Sequence, residues 1–456
     1  MRSDLELDAA VVHDRGRQLR RCDAQIPQAR REAITTTTSS SPRRYHRHNI
    51  SSASFWDLGF RERDDVFAEL RSEDGLTWHE PFNSPFPHEE TGFWAVTKHA
   101  DVRFVSMNSD LFVSSEGISI EPMPAEIQRA TAFFLTMDPP QHTRYRRLIS
   151  SAFTPRQVRK IEQQIRDNAR EIVDDLLDAL QDGAEVDFVA ECACKLPMHT
   201  ISDMIGIDRT DRDVILAAAE ALSGAGDDDY TASEDKAIHM MTQFGVLTQA
   251  GIDLAQRRRV EGRDDLMTNI VNAEIDGHRL TDDEIGAFLV LLSVAGSDTT
   301  KQATSHALKA LMDRPEQLAW LMADFDNRID SAIDEFVRWA TPVLSFARHA
   351  AVDTEVGGTP VRAGEKLGLF YCSANRDAAV FDDPHEFRLN RTPNNHFGFG
   401  GGGTHFCLGS NLARMELRSL FFELLTRLPQ VSIGAPEYLS GSSVIHGIKR
   451  MPIKRV

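Results

Sequence analysis

Cys407 stands in the stretch HFGFGGGGTHFCLGSNLARMEL, after four successive glycines (Gly400 to Gly403) and before a segment of helical character from Leu408. A cysteine at the start of a helix feels the positive end of the helix dipole and unpaired amide N–H groups, both of which favour thiolate. A soft anionic sulfur in that setting can hold a metal. Glycine backbone also allows a close approach that no other residue matches, leaving room for something flat and large against the loop. The commoner fate of a lone cysteine is a buried small hydrophobe beside a turn, and the local pattern leaves both readings open. Phosphate cradling is disfavoured: no Lys-Ser/Thr pair follows, and no preceding strand fits a dinucleotide fold.

A second constellation is Ala295-Gly296-Ser297-Asp298-Thr299-Thr300, in the middle of a long helical pattern. Glycine there costs about 1 kcal/mol relative to alanine, and Ser, Asp and Thr also disfavour helix interiors. The preceding Phe288, Leu289, Val290, Leu291, Leu292 and Val294 are apolar almost all round, so this turn should be buried. A buried acid beside a hydroxyl is costly unless it serves hydrogen bonding or proton transfer, which makes Asp298 and Thr299 candidate catalytic residues. Threonine hydroxyls can also bond the carbonyl one turn back and bend the helix. The third element is Glu335-Phe336-Val337-Arg338, whose charges share one helix face. Spacing alone says little, because Glu126-Ile127-Gln128-Arg129 matches it; the apolar setting of Ile333, Phe336, Val337 and Trp339 singles out the second copy.

Positioning these residues calls for a mainly α fold with a minor β region. Apolar residues recur at helical spacing from Pro155 to Leu180, and helical patterns continue over 198–223 and 236–258 around the Gly/Asp-rich turn Gly224–Asp229. Thr281 with Glu284 predicts a capping-box start and Pro315 the latest stop of the long helix. Such a helix is roughly 45 Å long, enough to cross a domain. Residues 93–112 read as a strand and then a helix, Leu344–Ala347 and Leu367–Tyr371 as short strands, and Leu408–Leu428 as a last helix.

The 456 residues carry a net charge of −18, which argues against a nucleic-acid partner. The longest apolar run, Ile285 to Gly296, falls short of the roughly twenty residues of a membrane span. Five cysteines (Cys22, Cys192, Cys194, Cys372, Cys407) form no CxxC pair, so a reducing, cytoplasmic setting is expected. Residues 1–50 hold ten Arg, no Lys and six acidic residues, with the tract Thr35–Ser41 before Pro42. They are expected to form a poorly ordered extension ahead of a single catalytic domain over 51–456. The six acids weigh against a mitochondrial transit peptide.

The cysteine loop, the AGSDTT helix and ExxR, in this order, resemble the cytochrome P-450 superfamily of haem-thiolate monooxygenases over roughly residues 50–456. FGGGGTHFCLG, MDPPQHTRYRRLISSAFTPR (137–156), RWATPV (338–343) and IHGIK (445–449) are most similar to the actinobacterial branch that hydroxylates steroid side chains at C26/C27, methyl-branched lipids and related terpenoids. Phe399 sits eight residues before Cys407, one more than is usual, and that branch shares the extra residue. The resemblance implies a long central helix over a haem b, with Cys407 as the proximal iron ligand. It implies that His142, Arg146, Arg348 and His405 hold the haem propionates, for which cations are suited. Glu335, Arg338 and Arg391 resemble a structural triad rather than catalytic groups. Asp298 and Thr299 resemble the acid–alcohol pair that delivers protons during O2 activation, with a kink at Gly296 opening space beside them.

The resemblance further implies an apolar pocket near Leu291, Ala295, Val343, Leu344, Phe346 and Ile445, with 113–136 and 224–234 as mobile walls. No flavin or iron–sulfur motif occurs, so electrons are expected from NAD(P)H through a ferredoxin reductase and a ferredoxin. Arg144, Arg147, Arg414 and Arg418 are candidates for a local docking patch, or are plain solvated faces. The expected protein is a monomeric enzyme that hydroxylates an unactivated C–H bond of a sterol side chain, methyl-branched lipid or terpenoid. The alternatives are a tailoring hydroxylase of a polyketide or terpene, a peroxide-driven enzyme, which would not need Asp298 and Thr299, and a non-catalytic haem-thiolate binding protein.

Overall fold

In the computed structural model, residues 43–456 are described except 125–126, 129–132, 151–152, 154, 225–226, 228, 231–235, 275–276 and 278. Most of the expected extension, and parts of both expected mobile walls, therefore lie outside the described residues. The compact unit begins at Tyr45, a few residues before the expected boundary. His46 N donates to Trp78 O at 2.8 Å, and Ile50 is fully buried.

The minor β part comes first in the chain. Helix α1 (Phe60–Ser72) precedes strands β1 (Thr77–His79) and β2 (Phe93–Val96), then α2 (His99–Met107) and β3 (Phe112–Val113). The helical part follows with α3 (Gln141–Ser150), α4 (Glu162–Ala179), the short strand β4 (Glu185–Asp187), α5 (Lys195–Ile205), α6 (Arg212–Ser223) and α7 (Lys236–Val260). The long helix α8 (Asp282–Met312) and α9 (Phe325–Ala340) come next. Strands β5 (Ser345–Ala350) and β6 (Lys366–Phe370) lead to the cysteine loop, α10 (Ser410–Arg427), β7 (Val431–Ile433) and β8 (Pro452–Arg455). A five-stranded sheet has the order β1-β2-β6-β5-β3, with only β2 and β6 parallel. A smaller antiparallel sheet runs β4-β8-β7. Among the described residues, no helix is long and apolar enough to cross a membrane.

The expected capping box starts α8: Glu284 N donates to Thr281 Oγ1 at 3.2 Å, and Thr281 N to Glu284 Oε2 at 2.8 Å. Glu284 also accepts from the Tyr145 hydroxyl, which joins α3 to the same turn. The apolar run puts Ile285, Phe288, Leu289, Val290, Leu291 and Leu292 into the main core. The helical assignment runs unbroken through Gly296. A Cβ on Gly296 would lie 1.9 Å from Ile201 Cδ1, so the glycine lets α5 approach α8 closely.

Glu335 and Arg338 of α9 have no solvent exposure. Arg338 Nε and Nη2 donate to the two oxygens of Glu335 at 2.7 Å each, the fork geometry that arginine offers a carboxylate. Glu335 also accepts from Arg391 Nε (3.2 Å), Asn394 Nδ2 (3.1 Å) and Arg388 N (2.8 Å). The remaining Arg338 donors reach the carbonyls of Asn375 and Pro384 at 2.9 Å and Glu386 at 3.0 Å. The bolted segment passes its position on through Asn375, whose Oδ1 accepts from Phe397 N at 2.7 Å at the head of the cysteine loop.

Where α10 meets α5 and α8, Glu416 is buried beside the hydroxyls of Thr200 and Thr300. Burial raises its carboxyl from 4.5 to about 8 against the pull of those hydroxyls. The folded chain therefore holds a proton that the unfolded chain has released between these values, and its ionisation in the fold is unfavourable. We expect stability to fall between pH 4.5 and 8 by up to about 1.4 kcal/mol per pH unit from this group. Denaturant unfolding of the Glu416→Gln enzyme across that range should show a flatter profile; an unchanged slope would assign the dependence to other groups.

Candidate functional site

The cysteine loop packs on the end of α2. A Cβ on Gly403 (φ 71°) would lie 2.4 Å from Ser106 O, and one on Gly401 would lie 2.2 Å from Ser106 Oγ. Gly401, Gly402 and Gly403 thus allow close contact with Ser106 and Met107 at the end of α2, while a Cβ on Gly400 would meet only His405 O at 3.9 Å. Cys407 N donates to Phe399 O at 3.0 Å, closing the loop. The cysteine lies three residues ahead of α10, not in its first turn. Burial pushes its thiol up, and the Gly409 N–H and Arg146 only partly offset this. Burial therefore opposes the thiolate that helix polarity would favour, and a cation at the sulfur would favour it. No group of three or more His, Cys, Asp or Glu side chains among the described residues could hold a metal.

Basic side chains converge beside this loop. His142 of α3 and His405 have ring centroids 4.3 Å apart, and Arg146 Nη2 donates to Phe406 O at 2.6 Å. Both ring nitrogens of the fully buried His142 lack a hydrogen-bond partner. Arg348 of β5 is buried and donates to Ala347 O at 2.7 Å. Burial, then the charge of Arg146, pushes the His142 imidazole down to about 4, with Asp138 opposing and Arg348 adding to the shift. His405 is held lower still, by burial first and then by Arg348, His142 and Arg146. Asp138 is the carboxylate that acts on both His142 and Arg348, and its oxygens already accept from Ser114 N (2.8 Å) and Ser115 N (3.2 Å). Basic groups collected out of water with so little negative charge are costly unless an anion joins them. Two carboxylates on a planar ring fit that requirement, as does the single sulfur beside them. The residues present fit a haem.

The face of α8 is divided. Ala295 is exposed and Val294 and Thr299 half-buried within an otherwise buried helix, so this stripe borders open space. Thr299 Oγ1 donates to Ala295 O at 2.8 Å, the bond one turn back that the sequence suggested. Asp298 is buried and ion-paired with Lys301, Nζ to Oδ1 2.6 Å. Lys301 escaped the sequence reading, although its position three residues after Asp298 on a helix predicts the contact. Ser114, whose hydroxyl lies 3.2 Å from His405 Nε2, had no sequence signal. Of the expected pocket residues, Val343, Phe346 and Ile445 are half-buried, and Val343 bridges Ile445. Leu344 is instead in the core with Trp56 and Phe370. Of the expected docking arginines, Arg414 pairs with Asp334 at 2.5 Å and Arg418 with Asp326 at 2.9 Å, which neutralises both; Arg147 is exposed on α3.

Fold and site together fit a haem-dependent monooxygenase whose glycine loop presents Cys407. A family model described as Cytochrome P450 matches residues 197–429. The chain is 40% identical over 404 residues to a methyl-branched lipid omega-hydroxylase of Mycobacterium tuberculosis, covering 89% of this chain and 94% of that one. It is 39% identical over 395 residues to a steroid C26-monooxygenase of Mycolicibacterium smegmatis, covering 85% and 90%. Among solved structures, the Mycobacterium marinum cytochrome P450 CYP268A2 in complex with pseudoionone matches with a TM-score of 0.88 and 47% identity over 91% of this chain and all of that one. The chain belongs to the cytochrome P450 family. Its reaction uses haem, O2 and electrons from redox partners to hydroxylate a hydrophobic substrate.

Removing a basic side chain from the cluster should weaken haem retention without unfolding the chain. Arg348→Ala and His142→Ala are expected to lower the ratio of Soret to 280 nm absorbance after dialysis against apomyoglobin. Wild-type retention in both would show that neither side chain holds the cofactor.

Proposed function

We propose that this enzyme inserts one oxygen atom into an unactivated C–H bond of a methyl-branched, terpenoid or sterol-side-chain lipid, with haem b as its cofactor. The observation that carries the reading is the open stripe of α8, where apolar Val294 and Ala295 adjoin Thr299. Half-buried Val343, Phe346 and Ile445 supply further apolar surface. Such a wall suits a substrate that offers no polar handle at the reacting carbon and must be stripped of water. The named activities of the two curated relatives and the pseudoionone held by the solved relative support this substrate class.

When bound, haem supplies O2 binding and its reduction at iron, with the second oxygen atom leaving as water at the expense of two electrons and two protons. The chain's part is to hold and feed that chemistry. Cys407 ligates iron, and His142, Arg146, Arg348 and His405 hold the propionates. Asp298 brings protons in from solvent, and the Thr299 hydroxyl presents them on the open stripe. Electrons are proposed to come from NAD(P)H through a ferredoxin reductase and a ferredoxin. Exposed Phe406 and Met107 with Arg147 offer that donor an apolar and basic face on a cytoplasmic monomer.

Titration of the ferric enzyme with phytanic acid, cholest-4-en-3-one and pseudoionone should give a low-to-high spin shift for at least one. A response confined to macrolide-sized polyketides would replace the lipid reading with that of a tailoring hydroxylase. Thr299→Ala should keep the haem spectrum while diverting roughly tenfold more of the NADH consumed into peroxide. Unchanged coupling of NADH to product would remove Thr299 from the relay.

A further inference from the structure

A small cavity lies between α5, α6 and α8, on the side of α8 that carries Asp298. Glu220, Ser223, Ser293, Ser297, Asp298 and Lys301 line it, together with the apolar Leu216 and Ala219 and with Cys194. The hydroxyls of Ser223, Ser293 and Ser297 are buried without a protein partner, as is Asp298 Oδ2. Buried polar atoms are normally satisfied, so these orphans mark places for ordered water. Lys301 Nζ stands 2.6 Å from Asp298 Oδ1 and 3.4 Å from Glu220 Oε1. The side chains of Asp298 and Lys301 are 5% and 6% exposed, whereas Glu220 is 30% exposed and so reaches solvent.

We infer that this cavity is the proton inlet of the enzyme, with Glu220 as its solvent-side carboxylate and Lys301 as a positioning residue that alternates between Glu220 and Asp298. The inference rests on the proposed role of Asp298 as proton carrier to Thr299. One ammonium between two carboxylates leaves one negative charge over, so the cluster has a place for one further proton. With that proton on Glu220, Lys301 pairs with Asp298 and the inner carboxylate is locked. When the proton crosses the cavity to Asp298, the neutral inner carboxyl releases Lys301, which moves to the newly charged Glu220. Asp298 then holds a transferable proton beside Thr299, and its loss resets the pair. One proton passes inward per cycle, and Lys301 keeps its own throughout. Burial alone would lower the Lys301 ammonium; Asp298 and Glu220 outweigh it and raise it, in keeping with a lysine that never deprotonates. The other titratable groups facing the cluster are Tyr230 beyond the end of α6, and Cys194 and Lys195 at the start of α5.

The test uses the haem-loaded enzyme with reductase, ferredoxin and substrate, and a spectrum of the resting enzyme. Glu220→Gln should slow turnover roughly tenfold and enlarge the solvent deuterium isotope effect, while KM for substrate and the Soret band stay unchanged. Glu220→Asp should restore most of the rate. In the resting enzyme at pH 7, Lys301→Met should show a protonated-carboxyl infrared band that is absent from wild type and from Lys301→Met/Asp298→Asn. Wild-type turnover and isotope effect in Glu220→Gln, or no such band in Lys301→Met, would overturn the inference. Asp298→Asn separates the two levels. If that variant turns over at the wild-type rate, the role of Asp298 itself is wrong; if it is slow and Glu220→Gln is not, only the inlet is misplaced.

Discussion

The carboxylate of Glu335 accepts hydrogen bonds from Arg338, Arg391, Asn394 and the Arg388 amide where water does not reach. A buried ion pair left without one partner costs about 3–5 kcal/mol, so the segment from Asn375 to Asn394 settles only in the arrangement that brings those donors together. From there Asn375 fixes Phe397, and Phe399 accepts from the amide of Cys407. The sulfur owes its place to charge pairing some distance away. Residues with no chemical part in the reaction thus decide where the reacting group stands.

The surroundings of the sulfur follow a different logic. His142, Arg146, Arg348 and His405 come from a helix, a strand and a loop that share no local sequence. Burial lowers each of them, and for the two histidines neighbouring cations add to the shift. A fold that gathers such groups is organised around something that brings negative charge. The same principle appears in mirror image on α8, where Lys301 sits among carboxylates. In both places the unbalanced charge, rather than the shape of the cavity, indicates what must come and go.

Much of this was legible from residue order because it is local. The capping box at Thr281 and Glu284, the all-round apolar run before Ala295 and the Glu335–Arg338 spacing are each properties of one helix. What escaped depends on partners far apart in the chain. That Gly401 and Gly403 lie against Ser106 could not be read from the loop alone. Nor could the contact of Gly296 with Ile201 on another helix. Arg414 and Arg418 looked like free charges, but acids of α9 take both. Leu344 lies next to a pocket residue in sequence, yet it packs into the core with Trp56 and Phe370.

The orphaned nitrogens of His142 have one more consequence, for the way the protein accumulates. A ligand that binds only the native chain shifts the folding equilibrium by mass action, in proportion to the logarithm of its free concentration. Cells short of porphyrin or iron would hold a chain whose buried His142 nitrogens stay unsatisfied, and quality-control proteases act on such populations. Yield in a heterologous host should therefore track cofactor synthesis more closely than transcript, and a partly loaded preparation should melt as two populations rather than one.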